Sequence, residues 1–531
     1  MFVCFFALVG FDESPAKKAP NLVEWWTTKE IVRVNVSKDT THLTTPLMAD
    51  GRVDYLAAFN ALGQNVKPED NAATLMIDAF GPKALDQKSA DVVCKALGRQ
   101  VPTKNGSYVD EYIDFASNDD ELPKDGVRFD TYLQLLRTPW REAEHPVLAK
   151  MLTHNAAPLD ILVRATERSQ FFIPRTRTLI LPPIDFIQRC RKAHRLILLR
   201  AMRMAGSGDG AGAAADLDAC HRLAAHLGRP TAGLSEGLFA EVFSWMTYEA
   251  EQGLAFSGPM DARSLRERMK RLTGLPRPSD PKLSILTVER YALLEAATET
   301  RFLAAQLTPK EGKQSITILG FTIDEWQQSD LFKNAWPFSL KQKLSSETLD
   351  ALLRTINREV DRLGEAHIRP NDRARCQAVE LYLGEVRANN DRVRDRFKNQ
   401  KPFLGLIETT RPADAALGRE MAGIVLESVA LSAATNASAR QNVEARRRQA
   451  VLAYALAAFR KEHGRYPEKL DAATLGVTPE LMIDPCSEQS FVDRTIDGKR
   501  EIVSAGKDGI VSPPWPGGDV RKPDDLILVI R

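Results

Sequence analysis

A chain of 531 residues with 44% hydrophobic and 27% charged content falls in the ordinary globular range and carries material for a sizeable core, which argues against general disorder. A length of this order corresponds to about two to four domains. Lys and Arg total 72 and Asp and Glu total 70, so the formal net charge of +2 gives no long-range pull toward nucleic acid. Six cysteines (Cys4, Cys94, Cys190, Cys220, Cys376 and Cys486) are scattered with no C-x-x-C pair, so neither a zinc knuckle nor a dense disulfide framework is expected.

In chain order, Met1 to Phe11 is almost wholly apolar, the length of a signal-peptide core, yet no basic residue precedes it. A start assigned too late would explain this; the residues ahead of it would complete an export signal or a membrane anchor. The alternative is a short buried strand. No other stretch reaches about 18 uninterrupted apolar residues, so the rest is expected to be soluble. Val32 to Val36 alternates like a strand, with Trp25 and Trp26 ahead of it as packing residues. Asp50-Gly51 makes a turn before a helix carrying Val53, Leu56, Ala57 and Asn60. Pro68 opens a second helix, Glu69 to Phe80, which Gly81-Pro82 closes. This block, PLMADGRVDYLAAFN and VKPEDNAATLMIDAFGP, resembles the N-terminal region of large bacterial proteins that end in a pilin-like module, a resemblance that brings no catalytic residues.

Residues 99–127 are polar and read as an exposed connection. Helices resume at Phe129 to Leu136, Val147 to Leu152 and Leu159 to Ser169, and the proline-bounded stretch 171–183 marks a boundary. Ile184 to Ala205 is strongly helical. One face carries Ile187, Cys190, His194, Ile197, Ala201 and Ala205, and the other Arg189, Lys192, Arg195, Arg200 and Arg203. The basic face is expected to be the solvated side of a bundle helix, with an anionic membrane or acidic partner as the alternative. His194 is expected to be a packed histidine. The GSGDGAG run, 206–212, is a joint; no strand precedes it, so it is discounted as a phosphate loop. Further helices follow at Ala213 to Leu227, Leu238 to Leu254, Ser264 to Leu272, Val288 to Leu307, Ser346 to Leu363, Ala374 to Val393 and Ala415 to Ala434, with a break at Thr308 to Phe338. No fixed repeat period accompanies them.

At the C-terminus, Val451, Tyr454, Ala455, Ala458 and Phe459 fall at helical spacing as one apolar stripe, which Gly464 and Pro467 terminate. Leu470 to Met482 reads as short helical turns, Asp484-Pro485 as a turn, and Glu501 to Val503 and Leu526 to Ile530 as strands. The sequence LAYALAAFRKEHGRYPEKLDAAT, then DPCSEQSF, SAGKDG and DDLILVI, resembles the C-terminal half of type II secretion major pseudopilins over about a sixth of the chain. The resemblance implies a helix, a small sheet and a calcium loop. The matching positions are Ser504, Gly506 and Asp508, with Asp519, Asp524 and Asp525 closing the site. Calcium takes six to eight oxygen ligands, which such a loop supplies. The sequence departs from the family in the insertion Pro513 to Pro516 and in Lys507, Arg521 and Lys522, which bring positive charge to the loop. An acidic loop whose aspartates cap turns is the alternative. Glu427 and Arg446 to Arg448 also interrupt the place where a pilin's apolar stalk would run, so the module is read as borrowed.

Chemical motifs are few. Gly233-Leu234-Ser235-Glu236-Gly237 matches G-x-S-x-G, but no apolar strand precedes it, so Ser235 is expected to cap a helix rather than act as a nucleophile. His221 and His226 are five apart and do not share a helix face; His145 and His367 have no metal-spaced partner. Asn35, Asn105 and Asn436 match the glycosylation pattern by chance. The resulting expectation is a mainly α protein, a bundle or irregular helical array with a small C-terminal α+β unit. The expected segments are 1–45, 46–170, 184–435 and 441–531. The expected role is an exported or membrane-tethered structural or interaction protein of the cell envelope or periplasm, cytoplasmic if the N-terminus is complete. It would have a protein partner, no nucleic acid and calcium as its one cofactor. A hydrolase built on carboxylates or Ser235 is the alternative.

Overall fold

The computed structural model describes residues 34–86, 89–111, 127–179, 182–306, 346–396, 415–496, 498–511 and 525–530, together with five two-residue strand pieces. The apolar segment Met1 to Phe11, read above as part of an export signal, Trp25, Trp26 and most of the break after Thr308 lie outside these residues. The fold is mainly helical, with a three-stranded antiparallel sheet near the C-terminus.

In chain order the helices are α1 (Tyr55–Ala61), α2 (Ala72–Phe80), α3 (Ala90–Ala96), α4 (Phe129–Leu135), α5 (Pro146–His154), α6 (Ala156–Thr166), α7 (Ile184–Gly206), α8 (Gly210–Leu227), α9 (Leu234–Ser257) and α10 (Ala262–Gly274). Next come α11 (Pro281–Ser284), a π turn at Ile285–Glu289, α12 (Arg290–Gln306), α13 (Ser346–Ala366), α14 (Asp372–Arg396), α15 (Ala415–His463) and α16 (Ala472–Leu475). The sheet is β1 (Val492–Ile496), β2 (Lys499–Ser504) and β3 (Leu526–Ile530), in that spatial order. Its register pairs Val492 with Val503 and Ser504 with Leu526.

Short polar side chains set many of the helix starts. Asp209, Asp261 and Asp280 each accept an amide of the first turn of α8, α10 and α11 at 2.8–2.9 Å. At α2 the helix begins later than Pro68 predicts. Asn71 takes the Ala73 amide at 3.1 Å and becomes the cap, while the Pro68 carbonyl accepts from Arg168 at 2.7 Å. Val34 to Val36 is not a strand, and Val34 and Val36 pack against a helical core instead.

Three main apolar cores share helices. The first joins α2, α5 and α6 to α7, α8 and part of α9, through Met76, Leu148, Leu162, Phe186, Leu196, Leu217 and Phe243. It therefore runs across the expected boundary at 171–183. Phe171 and Ile173 belong to it, so the extended stretch is packed inside rather than serving as a linker. The second core gathers α1, the π turn, α12, α13, α14 and the first half of α15. The third surrounds the second half of α15 with α9, α10, α16 and the sheet.

The break expected between 435 and 441 falls inside α15, a single helix of 49 residues. From Ala450 to Ala458 every residue is buried, where the sequence predicts a stripe on one face. A helix apolar all round is one enclosed on all sides, here by α9, α10, α16 and the sheet. No helix of the described residues is long and apolar enough to cross a membrane.

Candidate functional site

A narrow crevice lies where the start of α9, the 278–284 segment and α15 meet. Gly228, Ala232, Gly233, Gly237, Glu241, Pro278, Asp280, Ser284 and Asn436 are among its lining residues. The space that a water molecule's centre can reach inside it is ≈ 10 Å³, about room for one water. Small residues make the approach this close. A methyl on Gly228 would meet Pro278 and Ala240 at 2.6 and 2.9 Å.

Buried carboxylates surround the start of α9. Glu236 accepts from the Gly233 amide at 2.9 Å and from Arg175 at 2.6 Å, with Arg229 at 3.3 Å. Burial raises its pKa, but the two guanidiniums outweigh burial and hold it below the ordinary range. Glu289, the last residue of the π turn, accepts from the Leu234 amide at 2.6 Å. Burial pushes Glu289 up, with the amide pulling the other way. Both negative groups sit at a helix N-terminus, the end that favours them.

One and a half turns further along α9, Glu241 is 4% exposed. Its Oε1 lies 3.5 Å from Arg440 Nη1 on α15. Burial pushes the carboxyl up to about 7, with Arg440 opposing and Asp372 adding to the rise. Arg440 itself donates to the carbonyls of Pro278 and Ser279 at 3.2 and 3.0 Å. Nearby, His367 is 2% exposed with neither ring nitrogen hydrogen-bonded. Burial holds it down at about 4, with Asp280 opposing and Arg375 and Arg440 reinforcing.

A separate, fully enclosed network ties α15 to the body. Glu251 accepts from Tyr454 Oη at 2.6 Å and from His221 at 3.1 Å, and pairs with Arg268, which also binds Asp218. Burial raises Glu251, but Arg268 and His221 bring it down to about 2.

The residues expected from sequence are dispersed. Ser235 is exposed in the first turn of α9; the cap position belongs to Gly233, whose amide Glu236 takes, so Ser235 is not the cap. Residues 229–232, which precede it, form a turn and not a strand, so the geometry of a nucleophile elbow is absent there. His194 is the packed histidine expected: it stacks on Phe243 at 4.5 Å and bonds Thr247 at 2.9 Å. His226 bonds the Thr166 carbonyl, away from His221. The basic face of α7 is partly neutralised by neighbouring acids, Arg195 pairing with Glu111 and Arg200 with Asp160 and Asp216.

In the C-terminal unit, Ser504 is fully buried and donates to Asp484 Oδ1 at 2.6 Å. Asp484 also accepts from the amides of Ala505 and Cys486 and from Ser487 Oγ. Asp508 accepts the Ile510 amide at 2.8 Å, Asp525 is half-buried at the start of β3, and Asp519 and Asp524 lie outside the described residues. Among the described residues no three His, Cys, Asp or Glu side chains converge as a metal-binding group.

The sequence did carry one signal for Glu241 and Glu251. With Ser244, Tyr248 and Ala255 they form a buried row at alternating spacings of three and four, so both acids stand inside the apolar stripe of α9. His367 and Arg440 had no such signal, because only the tertiary packing of α13, α14 and α15 brings them beside residues that line the crevice, Arg440 against Glu241 and His367 near Asp280. Compared with protein-family models, with curated proteins and with solved structures, the chain matches none.

Proposed function

We propose that the protein is a structural and interaction protein, a helical scaffold exported to or tethered at the cell envelope and finished by a pseudopilin-like assembly unit. The observation that supports this reading is how the terminal sheet is mounted. α15 holds the second core with its first half and is enclosed by the third with its second. From it, Arg446 donates to the Ile527 carbonyl at 3.0 Å, and Gln449 donates to those of Ile502 and Leu526 at 3.1 and 2.8 Å. A load applied to the sheet passes directly into the helical body, which suits a docking element.

The test is photo-crosslinking in living cells from Val492 and Ile510, both exposed on the terminal unit, with exposed Leu62 on the body as the control. A discrete adduct from the first two positions and none from Leu62 is expected. Absence of adducts at Val492 and Ile510 counts against the reading. Calcium in the loop of Ser504, Asp508, Asp519, Asp524 and Asp525 belongs to the same proposal, and titration calorimetry without heat, joined to an unchanged melting temperature, removes it.

A carboxylate hydrolase is the second reading, favoured by Glu241, a buried acid titrating near neutrality between helices. Room for one water is far below the roughly 300 Å³ of a small-molecule pocket, which is why the scaffold reading is preferred. Hydrolysis of model esters or glycosides by the full chain, lost in Glu241→Gln, would reverse that preference.

A further inference from the structure

The two turns of α15 around Arg440 hold three different parts of the molecule. Asn436 donates to the Leu234 carbonyl at the start of α9 at 3.0 Å. Arg440 donates to the Pro278 and Ser279 carbonyls. Gln441 donates to the Pro485 carbonyl of the terminal unit at 3.0 Å, and Glu444 pairs with Arg277 at 3.1 Å. The Asp484-Pro485 turn is thus anchored on the same stretch of helix as the 277–280 segment.

Glu241 sits at the centre of this joint. Arg440 and Glu444 face it from α15, Arg277 from the segment before α11 and Asp372 from α14. Asp280 and Arg229 line the same crevice, Tyr248 lies within reach of Glu241 on α9, and Arg375 and His367 stand beside Asp280. Arg277 and Arg375 are engaged by Glu444 and by Asp372. Arg440 is the cation paired with Glu241, and at 3.5 Å it is farther than a charge-assisted hydrogen bond, about 2.7–2.9 Å, requires. That separation fits a neutral carboxyl. An ionised carboxylate with so little exposure needs a closer partner, and the nitrogen nearest to it, Arg440 Nη1, is the one that donates to both carbonyls, so it closes on Glu241 only by giving one of them up.

We propose that Glu241 and Arg440 form a proton-operated latch between the helical body and the C-terminal unit. With Glu241 neutral, Arg440 clamps the 278–279 carbonyls. When the carboxyl loses its proton to solvent, the guanidinium turns onto it and the clamp opens. The 277–281 segment then loosens, and the strain passes through Gln441, the next residue of α15, to the 484–487 turn. Burial places the titration of Glu241 at about 7. His367, held at about 4, stays uncharged through that range and cannot compensate.

The test is hydrogen exchange on the full chain between pH 6 and 8, corrected for the intrinsic base-catalysed rate. Protection of the Ser279, Leu283, Cys486 and Glu488 amides, all hydrogen-bonded at this joint, is expected to fall about tenfold across that interval in the wild type. In Glu241→Gln it stays high at both ends. Arg440→Lys, which keeps the charge but withdraws the Nη1 donor from its place between the two carbonyls, is expected to show low protection already at pH 6. A wild type without pH dependence overturns the latch. So does a parallel fall in Glu241→Gln, or an Arg440→Lys variant indistinguishable from wild type.

Discussion

Glu251 and Glu241 lie ten residues apart on one helix, both buried, and the protein treats them oppositely. Glu251 is surrounded by donors, and its folded pKa of about 2 lies below the unfolded value. Its stabilising contribution is therefore present above pH ~4.5 and is lost as pH falls through 2. Urea midpoints should drop across that window, and Glu251→Gln should flatten the drop. Removing Arg268 leaves Glu251 a buried charge without its main cation and takes from Asp218 the buried one of its two partners, Arg271 being the other. Arg268→Met should cost about 3–5 kcal/mol in urea unfolding. For Glu241 the sign reverses. Its folded pKa is raised to about 7, so it favours the fold most below pH ~4.5, and that advantage is lost as pH rises through 7. Glu241→Gln should therefore melt above the wild type at pH 8, read by differential scanning calorimetry. Asp484 is a third case, a carboxylate whose four donors join the 484–487 turn to the end of β2. Asp484→Ala strands the amides of Cys486 and Ala505 and the Ser504 hydroxyl, and should lower stability by about 1–3 kcal/mol.

Among the elements, α9 is seated against its neighbours by close approach as well as by apolar area. Gly253 in α9 packs against the Arg137 carbonyl, where a methyl group would collide with backbone. A glycine-to-alanine change inside a helix ordinarily gains up to about 1 kcal/mol. At Gly253 the sign should invert, and a lower melting temperature for Gly253→Ala is the check. The sequence makes the helix content plain: α4, α7, α10, α13 and α14 all form close to where apolar spacing and capping residues place them. The stretch Ala450 to Ala458 was legible as helix but not as an enclosed one, because alanines on the far side of the Val451–Phe459 stripe are equally compatible with solvent. The π turn at Ile285–Glu289 left no mark in the sequence. It takes its place where Glu289 meets the Leu234 amide, an arrangement between distant segments.

At the scale of the molecule, the cores overlap through shared helices. α9 contributes to all three, its first residue Leu234 to the second, and α15 to the second and third. Cooperative unfolding follows from that sharing, since no core can dissolve without exposing the flank of another. A single calorimetric transition is expected, and a chain cut after residue 440 should not yield a folded body. Two well-separated transitions would show that the shared helices do not couple the cores.

By itself the sequence determined the helical class, most helix positions and two of the three strands of the terminal sheet, β1 having gone unread, because periodicity, caps and glycine stops are local properties of the chain. The tertiary structure alone decided that residues 171–179 are packed rather than linking, that α15 is one helix, and that Arg440 and His367 come beside the crevice that Glu241 lines. Those outcomes depend on which faces meet across hundreds of residues, and on the electrostatic cost of what is trapped between them.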